Sequence, residues 1–423
     1  MTTLLAYVVR QMLSLIAPSL QTSLGFTDFQ LGMLQGLGMA IFACVASYPM
    51  GWLADRFGRR LILAIGVACW SLATGFCAFQ NSFGGLFLGT IGIAIGEAGL
   101  APIIFAIIPD LFPERQRNTA NFIFYGGSLL GAGLGMAAGG AILQWLAHSQ
   151  NALPAWLVGV DTWRIAMMAV ALLGPIFFLL VATMPRGRTL DSGPLKHIGD
   201  DATMIDFLPY AKAHWRTLVC LFGSIFATAV AMTSCLIWFP LALPRAFGID
   251  PTTVGVGLGT VITIATLIGI FLPPIALKIG RGVANLEPIR LARIFILMAP
   301  LPALFLPFAA SPFQAYVIAA ILGATGVAAS SLMPGLLQDL APPHLRSRVL
   351  AILGITNGLA LAVSPIAIGA MSSLITGSHG MLQAIAIVCV PALIGSAILI
   401  SLAPRHYAAT IRSIRSQLSG EKA

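Results

Sequence analysis

Charged residues are scarce in this chain of 423 residues: only 9% are Asp, Glu, Lys or Arg, whereas 58% are hydrophobic, and the mean hydropathy is +0.93. A water-soluble domain carries roughly 25% charged residues, so this composition excludes a soluble globular protein. The hydrophobic residues run on without alternation for about 20 positions at a time, which argues against a transmembrane β-barrel. The sequence therefore predicts an all-α protein whose helices cross a membrane.

Motifs of catalysis and of metal or nucleic-acid binding are also missing. The six cysteines lie inside hydrophobic runs without the spacing of metal ligands or of a disulfide framework, and the six histidines fall in predicted loops or tails. No nucleophile with a neighbouring base and no nucleotide-binding loop is present. The basic residues lie in short segments between hydrophobic runs instead of on one soluble face. We therefore expect no enzyme activity, no metal, no cofactor and no nucleic-acid partner.

Breaking the chain wherever Pro, Gly and charge cluster leaves twelve hydrophobic runs. The first run carries Arg10 and has no basic segment before it, so it is predicted to be a spanning helix and not a signal peptide. Twenty of the 23 Lys and Arg residues lie in the connections after even-numbered runs or in the tail, which predicts that both termini are cytoplasmic. We expect a monomeric protein of the bacterial inner membrane. The runs, numbered here as helices 1 to 12, are 4–24, 31–54, 61–80, 84–109, 119–147, 163–184, 215–240, 253–278, 290–309, 313–338, 347–375 and 381–403.

The longest polar interruption divides the runs into six and six. It predicts an N-terminal six-helix bundle over 1–184, a cytoplasmic linker over 185–214, a C-terminal six-helix bundle over 215–403 and a cytoplasmic tail over 404–423. The sequence Asp-Leu-Phe-Pro at 110–113, followed by Arg117, recurs as Asp-Leu-Ala-Pro at 339–342, followed by Arg346, at an offset of 229 residues. Such an echo predicts two pseudo-symmetric halves and alternating access to a central site.

The connection between helices 2 and 3 reads Gly-Trp-Leu-Ala-Asp-Arg-Phe-Gly-Arg-Arg over 51–60 and resembles the signature motif of the major facilitator superfamily. We expect Gly51 to allow close approach of helices, Asp55 to accept from a helix N-terminus or an Arg, and the cations to hold the loop in the cytosol. The motif and the two echoed segments are predicted to latch the outward-facing state, although helix caps and membrane anchors explain the echoed segments equally well. The predicted conformational gate comprises Gly51, Asp55, Arg56, Arg59, Arg60, Asp110, Arg117, Asp339 and Arg346.

The first five helices resemble the Spinster-like branch of that superfamily, in Tyr-Val-Val-Arg-Gln at 7–11, Gly-Phe-Thr-Asp-Phe-Gln-Leu-Gly at 25–32 and Gly-Ile-Ala-Ile-Gly-Glu-Ala at 92–98. The resemblance implies transport of lysophospholipids or sphingoid phosphates. Where the branch usually has an Asp before the helix 1 Arg, this chain has Val9, and where it usually has an Arg in helix 4, this chain has Thr90. Proton coupling therefore rests on Glu97 or is absent.

Arg10 and Glu97 are the ionisable residues that lie deep in predicted helices. Each costs about 2.5–3.5 kcal/mol at mid-bilayer without a partner, so both should face the bundle interior. We expect Arg10 to bind an anionic head group and Glu97 to pair with Arg10 or take up a proton; a permanent structural ion pair is the alternative. The predicted substrate-binding residues are Arg10, Ser14, Thr90, Glu97, Asn121, Tyr125, Ser234, Trp238, Ser330 and Asn357.

The glycine-rich run over 131–140 of helix 5 is similar to the antiporter motif of the superfamily, but tight helix packing alone explains it. Helices 7 to 12 carry no charge in mid-span and offer hydroxyl and aromatic side chains instead. This asymmetry favours an amphipathic anionic or zwitterionic substrate. Glu97 is the residue through which a proton would be coupled to its transport. The alternatives are a carrier for small organic or aromatic acids or hydrophobic drugs, and a non-transporting sensor on the same fold.

Overall fold

The structure is a computed structural model that describes residues 2–111, 113–149, 154, 157, 159–183, 204–283, 287–342 and 345–420. These residues form helices joined by short turns, with no strand in the part of the chain described. Within the described part of the chain, eleven helices are long and apolar enough to cross a membrane. The predicted all-α, multi-pass membrane fold is confirmed.

The first six helices begin and end close to the predicted positions, and four of them are built from more than one segment. Helix 2 is capped at its start by Thr27, whose hydroxyl accepts from the Gln30 N–H. The segments are Thr2–Leu15 and Ala17–Leu24 for helix 1, Asp28–Met33, Leu34–Ile41 and Phe42–Phe57 for helix 2, Arg59–Ala78 for helix 3, Phe83–Ala98 and Leu100–Leu111 for helix 4, Glu114–His148 for helix 5, and Thr162–Leu172 and Gly174–Ala182 for helix 6.

The second six helices follow a short helix that occupies the end of the predicted linker. This linker helix is Met204–Ala213; residues 185–203 of the predicted linker lie outside the described residues. The membrane helices are Trp215–Phe247 for helix 7, Pro251–Val283 for helix 8, Pro288–Met298, Pro300–Phe305 and Leu306–Phe308 for helix 9, Pro312–Leu340 for helix 10, Arg346–Ser372 for helix 11, and Gly380–Gly420 for helix 12.

Helix 1 is the predicted span that is missing from the eleven. Its two segments are nevertheless joined, because the Ile16 N–H donates to the Met12 carbonyl and the Leu20 N–H to the Ile16 carbonyl, both at 2.9 Å. Such bonds continue the helical ladder across the break. At about 1.5 Å per residue, the stretch from Thr2 to Leu24 is long enough for a hydrocarbon core of about 30 Å.

Helix 2 departs from a regular α-helix in its middle. Residues Leu34–Ile41 form a π-helix, a wide turn that is rare and is found most often near functional sites. A Cβ atom added at Gly38 in this stretch would lie 2.5 Å from the Thr90 hydroxyl of helix 4. The missing side chain therefore lets helix 2 approach helix 4 at this level.

The prediction that helix 12 ends at 403 is wrong, since the helix continues to Gly420. Buried contacts hold its extension: the Thr410 and Thr217 hydroxyls lie 2.9 Å apart, and the Tyr407 hydroxyl donates to the Leu336 carbonyl at 3.5 Å. The first part of the predicted tail, over 404–411, is thus docked, and its helical backbone continues to Gly420.

Two compact units do not coincide with the two sequence halves. Unit 1 consists of Met1–Pro194, Leu236–Thr263 and Pro365–Ala384, so it contains the first six helices and the ends of helices 7, 8, 11 and 12. Unit 2 consists of Leu195–Cys235, Ile264–Ser364 and Ile385–Ala423. Within unit 2, helices 7 and 12 are joined by buried hydroxyls: Ser396 lies 2.7 Å from Ser224 and 2.8 Å from Thr228.

Candidate functional site

Arg10 and Glu97 meet inside unit 1. Arg10 Nη2 lies 3.6 Å from Glu97 Oε2, and the two side chains are 30% and 10% exposed. This distance exceeds the ~2.7–2.9 Å of a charge-assisted hydrogen bond, so the pair is loose. Arg10 Nε and Glu97 Oε1 are buried without a hydrogen-bond partner among the described residues. The pair therefore keeps polar atoms available for a ligand or a proton.

Helix 4 breaks beside Glu97. Its first segment ends at Ala98, and Gly99 turns the chain into the second segment. Pro102 has no N–H, so it cannot donate to the Ala98 carbonyl in the helical pattern. A Cβ atom at Gly96 would lie 2.6 Å from the Trp70 backbone N, which shows that helix 4 is pressed against helix 3 on the face next to Glu97. The carboxylate is thus carried on a fixed helix end.

Two predicted site residues on helices 1 and 4 are already hydrogen-bonded. The Ser14 hydroxyl is buried and donates to the Ile237 carbonyl of helix 7, within unit 1. The Thr90 hydroxyl is buried and donates to the Phe87 carbonyl of its own helix at 2.8 Å. In this conformation both serve helix packing.

The remaining predicted substrate-binding residues are dispersed. Ser234 is buried and shares a 2.8 Å hydrogen bond with Ser364 in unit 2, and Trp238 is fully buried in unit 1. Ser330 and Asn357, in unit 2, are exposed. The side chains of Asn121 and Tyr125 lie outside the described residues. No single cluster of all ten is seen among the described side chains.

The structure corrects one prediction for the signature motif between helices 2 and 3. A Cβ atom at Gly51 would meet no atom of the described residues within 4 Å, so the prediction of close helix approach at Gly51 is wrong for this part of the chain. The glycine that the backbone requires is Gly58, whose φ of 100° lies where side chains are rarely tolerated. Arg56 lies over the Trp52 ring at 5.3 Å. The Asp55 side chain lies outside the described residues, and Arg59 and Arg60 each make further interactions.

The echoed segments lie at the ends of helices 4 and 10, as predicted. Arg346 Nε donates to the Ala341 carbonyl at 3.4 Å, just after helix 10, and Asp339 is exposed in its last turn. These contacts agree with the alternative of a helix cap. The side chains of Asp110 and Arg117 lie outside the described residues.

A polar network that the sequence analysis missed lies at the opposite end of unit 1, where odd-numbered helices connect to even-numbered ones. We call this the outer end, because the charge bias predicts that it faces away from the cytoplasm. Arg245 of helix 7 donates to both oxygens of Asp28, at 2.9 and 2.6 Å. Gln21 and Ser372 also donate to Asp28, at 2.6 and 2.9 Å. The Asp28 carboxylate therefore joins helices 1, 2, 7 and 11; we call these four residues the outer network.

Backbone contacts surround the outer network. A Cβ atom at Gly32 would overlap the Pro365 carbonyl oxygen, and one at Gly369 would lie 2.5 Å from the Asp28 carbonyl oxygen. Helices 2 and 11 therefore touch backbone to backbone here, at a distance that only glycine permits. The outer end of unit 1 is closed by charge and by close packing together.

The glycine-rich run of helix 5 packs on both of its sides. A Cβ atom at Gly135 would lie 2.8 Å from the Tyr7 backbone of helix 1. On the other side, a Cβ atom at Gly140 would lie 2.6 Å from the Val256 N, and one at Gly133 would lie 2.6 Å from the Thr263 N, both of helix 8. Helix 5 therefore links helix 1 to the outer segment of helix 8 within unit 1.

The sequence matches the family described as Major Facilitator Superfamily over residues 1–365. The chain belongs to this superfamily. This superfamily is the one that the signature motif over 51–60 resembles, and it is a family of membrane transporters. Among the described residues, no group of three or more His, Cys, Asp or Glu side chains is placed to hold a metal ion.

Curated relatives of this superfamily member include Spinster proteins, in agreement with the predicted resemblance. It is 29% identical to the sphingosine-1-phosphate transporter SPNS2 of Mus musculus over 59% of this chain and 43% of the relative. It is 38% identical to protein spinster homolog 1 of Xenopus tropicalis over 25% of this chain and 21% of the relative. The chain thus spans less than half the length of these relatives.

Solved structures share the fold. A bacterial homolog of the human lysosomal transporter Spinster, in an inward-facing and unoccupied conformation, superposes with a TM-score of 0.77 at 20% identity, covering 98% of this chain and 96% of that one. A D-xylose-proton symporter superposes with a TM-score of 0.72 at 18% identity, covering 93% and 94%. At these identities the comparison establishes the fold alone.

Proposed function

We propose that this chain is a transporter that moves an amphipathic anionic or zwitterionic molecule, a lysophospholipid or a sphingoid phosphate, by alternating access. The observation that carries the proposal is the loose Arg10–Glu97 pair, with its unpartnered Arg10 Nε and Glu97 Oε1. Intramembrane charges are costly, so a pair held this loosely is better explained by a ligand that uses the free atoms than by a structural role.

Arg10 is the proposed anchor for the head group. A guanidinium presents donors in a planar fork that matches a phosphate or carboxylate, and here one of its N–H groups is unoccupied. Binding an anion at Arg10 weakens its attraction for Glu97, whose carboxylate then loses its counter-ion. The binding event and the protonation state of Glu97 are thereby linked.

Glu97 is the proposed proton site. With Val9 in place of the usual helix 1 Asp, it is the acid that lies deep in the described helices, and it is 10% exposed. Proton uptake neutralises the carboxylate when the substrate anion occupies Arg10, so the loaded site carries no extra net charge across the bilayer. A second interpretation of the Arg10–Glu97 pair is uniport, in which the substrate moves without a proton.

The outer network is the proposed latch of the alternating-access cycle. The Asp28 carboxylate accepts hydrogen bonds from residues of helices 1, 7 and 11, so it connects the first six helices to the outer ends of helices 7 and 11. Opening the outer end requires these bonds to break. We propose further that the chain lies in the bacterial inner membrane with both termini in the cytoplasm, on the charge bias of its connections.

Transport into proteoliposomes tests the substrate class. Wild-type protein is offered a lysophospholipid, a sphingoid phosphate and an aromatic acid, each with and without a pH gradient. We expect the two amphiphiles to move and the aromatic acid to remain outside. Movement of the aromatic acid alone favours the small-acid carrier, and movement of none of them contradicts the proposal and favours a sensor.

A matched pair of variants assigns the transport to the site. We expect Arg10→Gln to lower the apparent affinity for the amphiphiles by about 10- to 100-fold, from the ~1.5–3 kcal/mol of a hydrogen bond to a charged group. Arg290→Gln removes an equal charge from an exposed pair, Arg290 Nε to Glu287 at 3.5 Å, and should transport normally. Equal loss in both variants contradicts a role for Arg10 in recognition.

A further inference from the structure

The linker helix and the start of helix 7 form one continuous rod. The His214 N–H donates to the Tyr210 carbonyl at 3.0 Å, and the Leu218 N–H donates to the His214 carbonyl at 3.1 Å, so the hydrogen-bond ladder crosses the turn between the helices. Side chains eight or eleven positions apart on this rod therefore share a face. Both helices lie within unit 2 over this stretch.

One face of the rod is fixed to unit 2. The Tyr210 hydroxyl donates to the Leu340 carbonyl at 2.8 Å, at the end of helix 10. The Thr217 hydroxyl is buried against Thr410 of helix 12 at 2.9 Å. These contacts leave the rod no freedom to turn its other face inward.

The other face presents hydrophobic and cationic side chains in one stripe. Leu208, Trp215 and Val219 are 71%, 55% and 52% exposed, and Lys212 and Arg216 are exposed between them. Their spacing places all five within about 100° of the helix circumference. We call these five residues the interfacial stripe.

The interfacial stripe crosses the boundary of the membrane. Trp215 is the first residue of the apolar span Trp215–Phe247, so Val219 lies inside the span and Leu208 before it. Tryptophan is enriched at this level of a bilayer, where its ring meets the head groups. The Arg216 guanidinium lies over the Trp215 ring at 5.6 Å, which holds the charge at the same level.

We propose that the interfacial stripe binds an anionic phospholipid of the surrounding leaflet. Its phosphate lies between Lys212 and Arg216, and its glycerol and upper acyl chain lie on Leu208, Trp215 and Val219. The continuity of the stripe with an exposed apolar face inside the span supports a lipid over a soluble partner, and two cations beside a tryptophan give the charge complementarity that an anionic head group requires. This site is independent of the proposed transport site.

Thermal unfolding of the full chain in detergent tests the proposal. Dioleoylphosphatidylglycerol, dioleoylphosphatidylcholine and inorganic phosphate are titrated separately, and the midpoint temperature is followed. We expect the anionic lipid to raise the midpoint more than the zwitterionic one, and inorganic phosphate to leave it unchanged. Equal shifts with both lipids contradict the proposal, and a shift with inorganic phosphate as large as that with the anionic lipid replaces a lipid site by a phosphate site.

Paired variants locate the site. We expect Lys212→Gln with Arg216→Gln to raise the half-saturating concentration of the anionic lipid about tenfold or more, since each cation near a membrane surface contributes measurably to binding. Lys278→Gln with Arg405→Gln removes two exposed cations elsewhere and should keep the wild-type value. Wild-type affinity in the first variant, or an equal loss in the second, overturns the proposal.

If the first variant unfolds in detergent, Leu208→Ser with Val219→Ser, which keeps both charges, should weaken the binding of both the anionic and the zwitterionic lipid.

Discussion

Arg245 donates hydrogen bonds to both carboxylate oxygens of Asp28, from Nη1 to Oδ2 at 2.9 Å and from Nη2 to Oδ1 at 2.6 Å. The two residues are 217 positions apart in the sequence. Bidentate pairs of this geometry are among the strong hydrogen-bonded contacts in proteins. Arg10 and Glu97, deeper in the same unit, approach only to 3.6 Å. The tight pair thus lies at the outer end and the loose pair at the centre.

Breaking the outer pair should open the outer end. Asp28→Asn removes the charge that Arg245, Gln21 and Ser372 share, and we expect the outer-open population to rise about tenfold, equivalent to ~1.4 kcal/mol. Spin labels at the exposed positions Ser23, near the end of helix 1, and Thr253, at the start of helix 8, in a background without native cysteines, report the change as a longer inter-label distance. The reversed pair Asp28→Arg with Arg245→Asp should restore much of the closed population.

A second ion pair supplies the control for that experiment. Arg164 Nε lies 3.2 Å from Asp161, and the same guanidinium donates to the Ala78 and Gln80 carbonyls at the end of helix 3. All four residues belong to the first six helices, so Asp161→Asn should leave the inter-label distance unchanged. An equal distance change in both variants contradicts the latch.

Neutralising the central acid should remove pH dependence and leave exchange. Glu97→Gln keeps the shape of the side chain but cannot take up a proton, so a pH gradient should no longer drive accumulation, whereas exchange of labelled for unlabelled substrate should continue. Both rates are measured in the same proteoliposomes. Full pH-driven accumulation in Glu97→Gln rules out the proton role of this residue.

Three glycines of helix 5 should respond differently to alanine. Gly126 has no atom of the described residues within 4 Å of an added Cβ, so Gly126→Ala should be neutral or stabilise by up to ~1 kcal/mol through helix propensity. Gly135→Ala presses on Tyr7 of helix 1, within the first six helices, and should lower the thermal midpoint. Gly140→Ala presses on helix 8 and should instead raise the outer-open population, since those helices can separate. Equal midpoints in all three variants contradict this assignment.

Acidification should loosen the linker helix. Burial lowers the pKa of His214, whose ring centroid lies 5.0 Å from that of Tyr210. The folded state then binds fewer protons than the unfolded state below about pH 6.5, so stability falls as the pH decreases through that range and is unaffected above it. Thermal midpoints at pH 7.5 and 5.5 should differ less in His214→Gln than in wild type. An unchanged difference shows that other groups carry the pH dependence.

Burial also raises the pKa of Tyr210 to about 12, so this hydroxyl stays protonated in the pH range of these experiments and keeps donating to Leu340. The pH dependence of the linker helix is therefore expected from His214 and not from Tyr210.

Local composition predicted the helices and the central pair. Long hydrophobic runs define membrane helices whatever their neighbours, and the cost of an isolated charge in lipid made it possible to predict that Arg10 and Glu97 face the interior. The π-helix over Leu34–Ile41 could not be predicted in this way, because a wide turn depends on tertiary packing such as that of Gly38 on Thr90.

The outer network depends on contacts between distant parts of the chain, which no local pattern contains. One signal was present: Arg245 is one of only two cations at the connections that the charge bias otherwise keeps free of them. The hydrogen bond of Ser14 was missed for a related reason, since helical spacing assigns a side chain to a face but not to a partner. The expectation for Gly51 was wrong because the presence of a glycine in a motif does not show why the glycine is needed. Gly58 of the same motif is needed for its backbone conformation and makes no close contact.

Main chain lies against main chain where helix 5 meets helix 8, at Gly140 and Gly255. Interlocked side chains would have to change rotamer before such surfaces could part, and each would add its own barrier. Two smooth backbones present no such obstacle. Separation of helices 5 and 8 is therefore opposed mainly by the loss of dispersion contacts. A few polar bonds at the edge of the contact are then enough to control when the helices move apart.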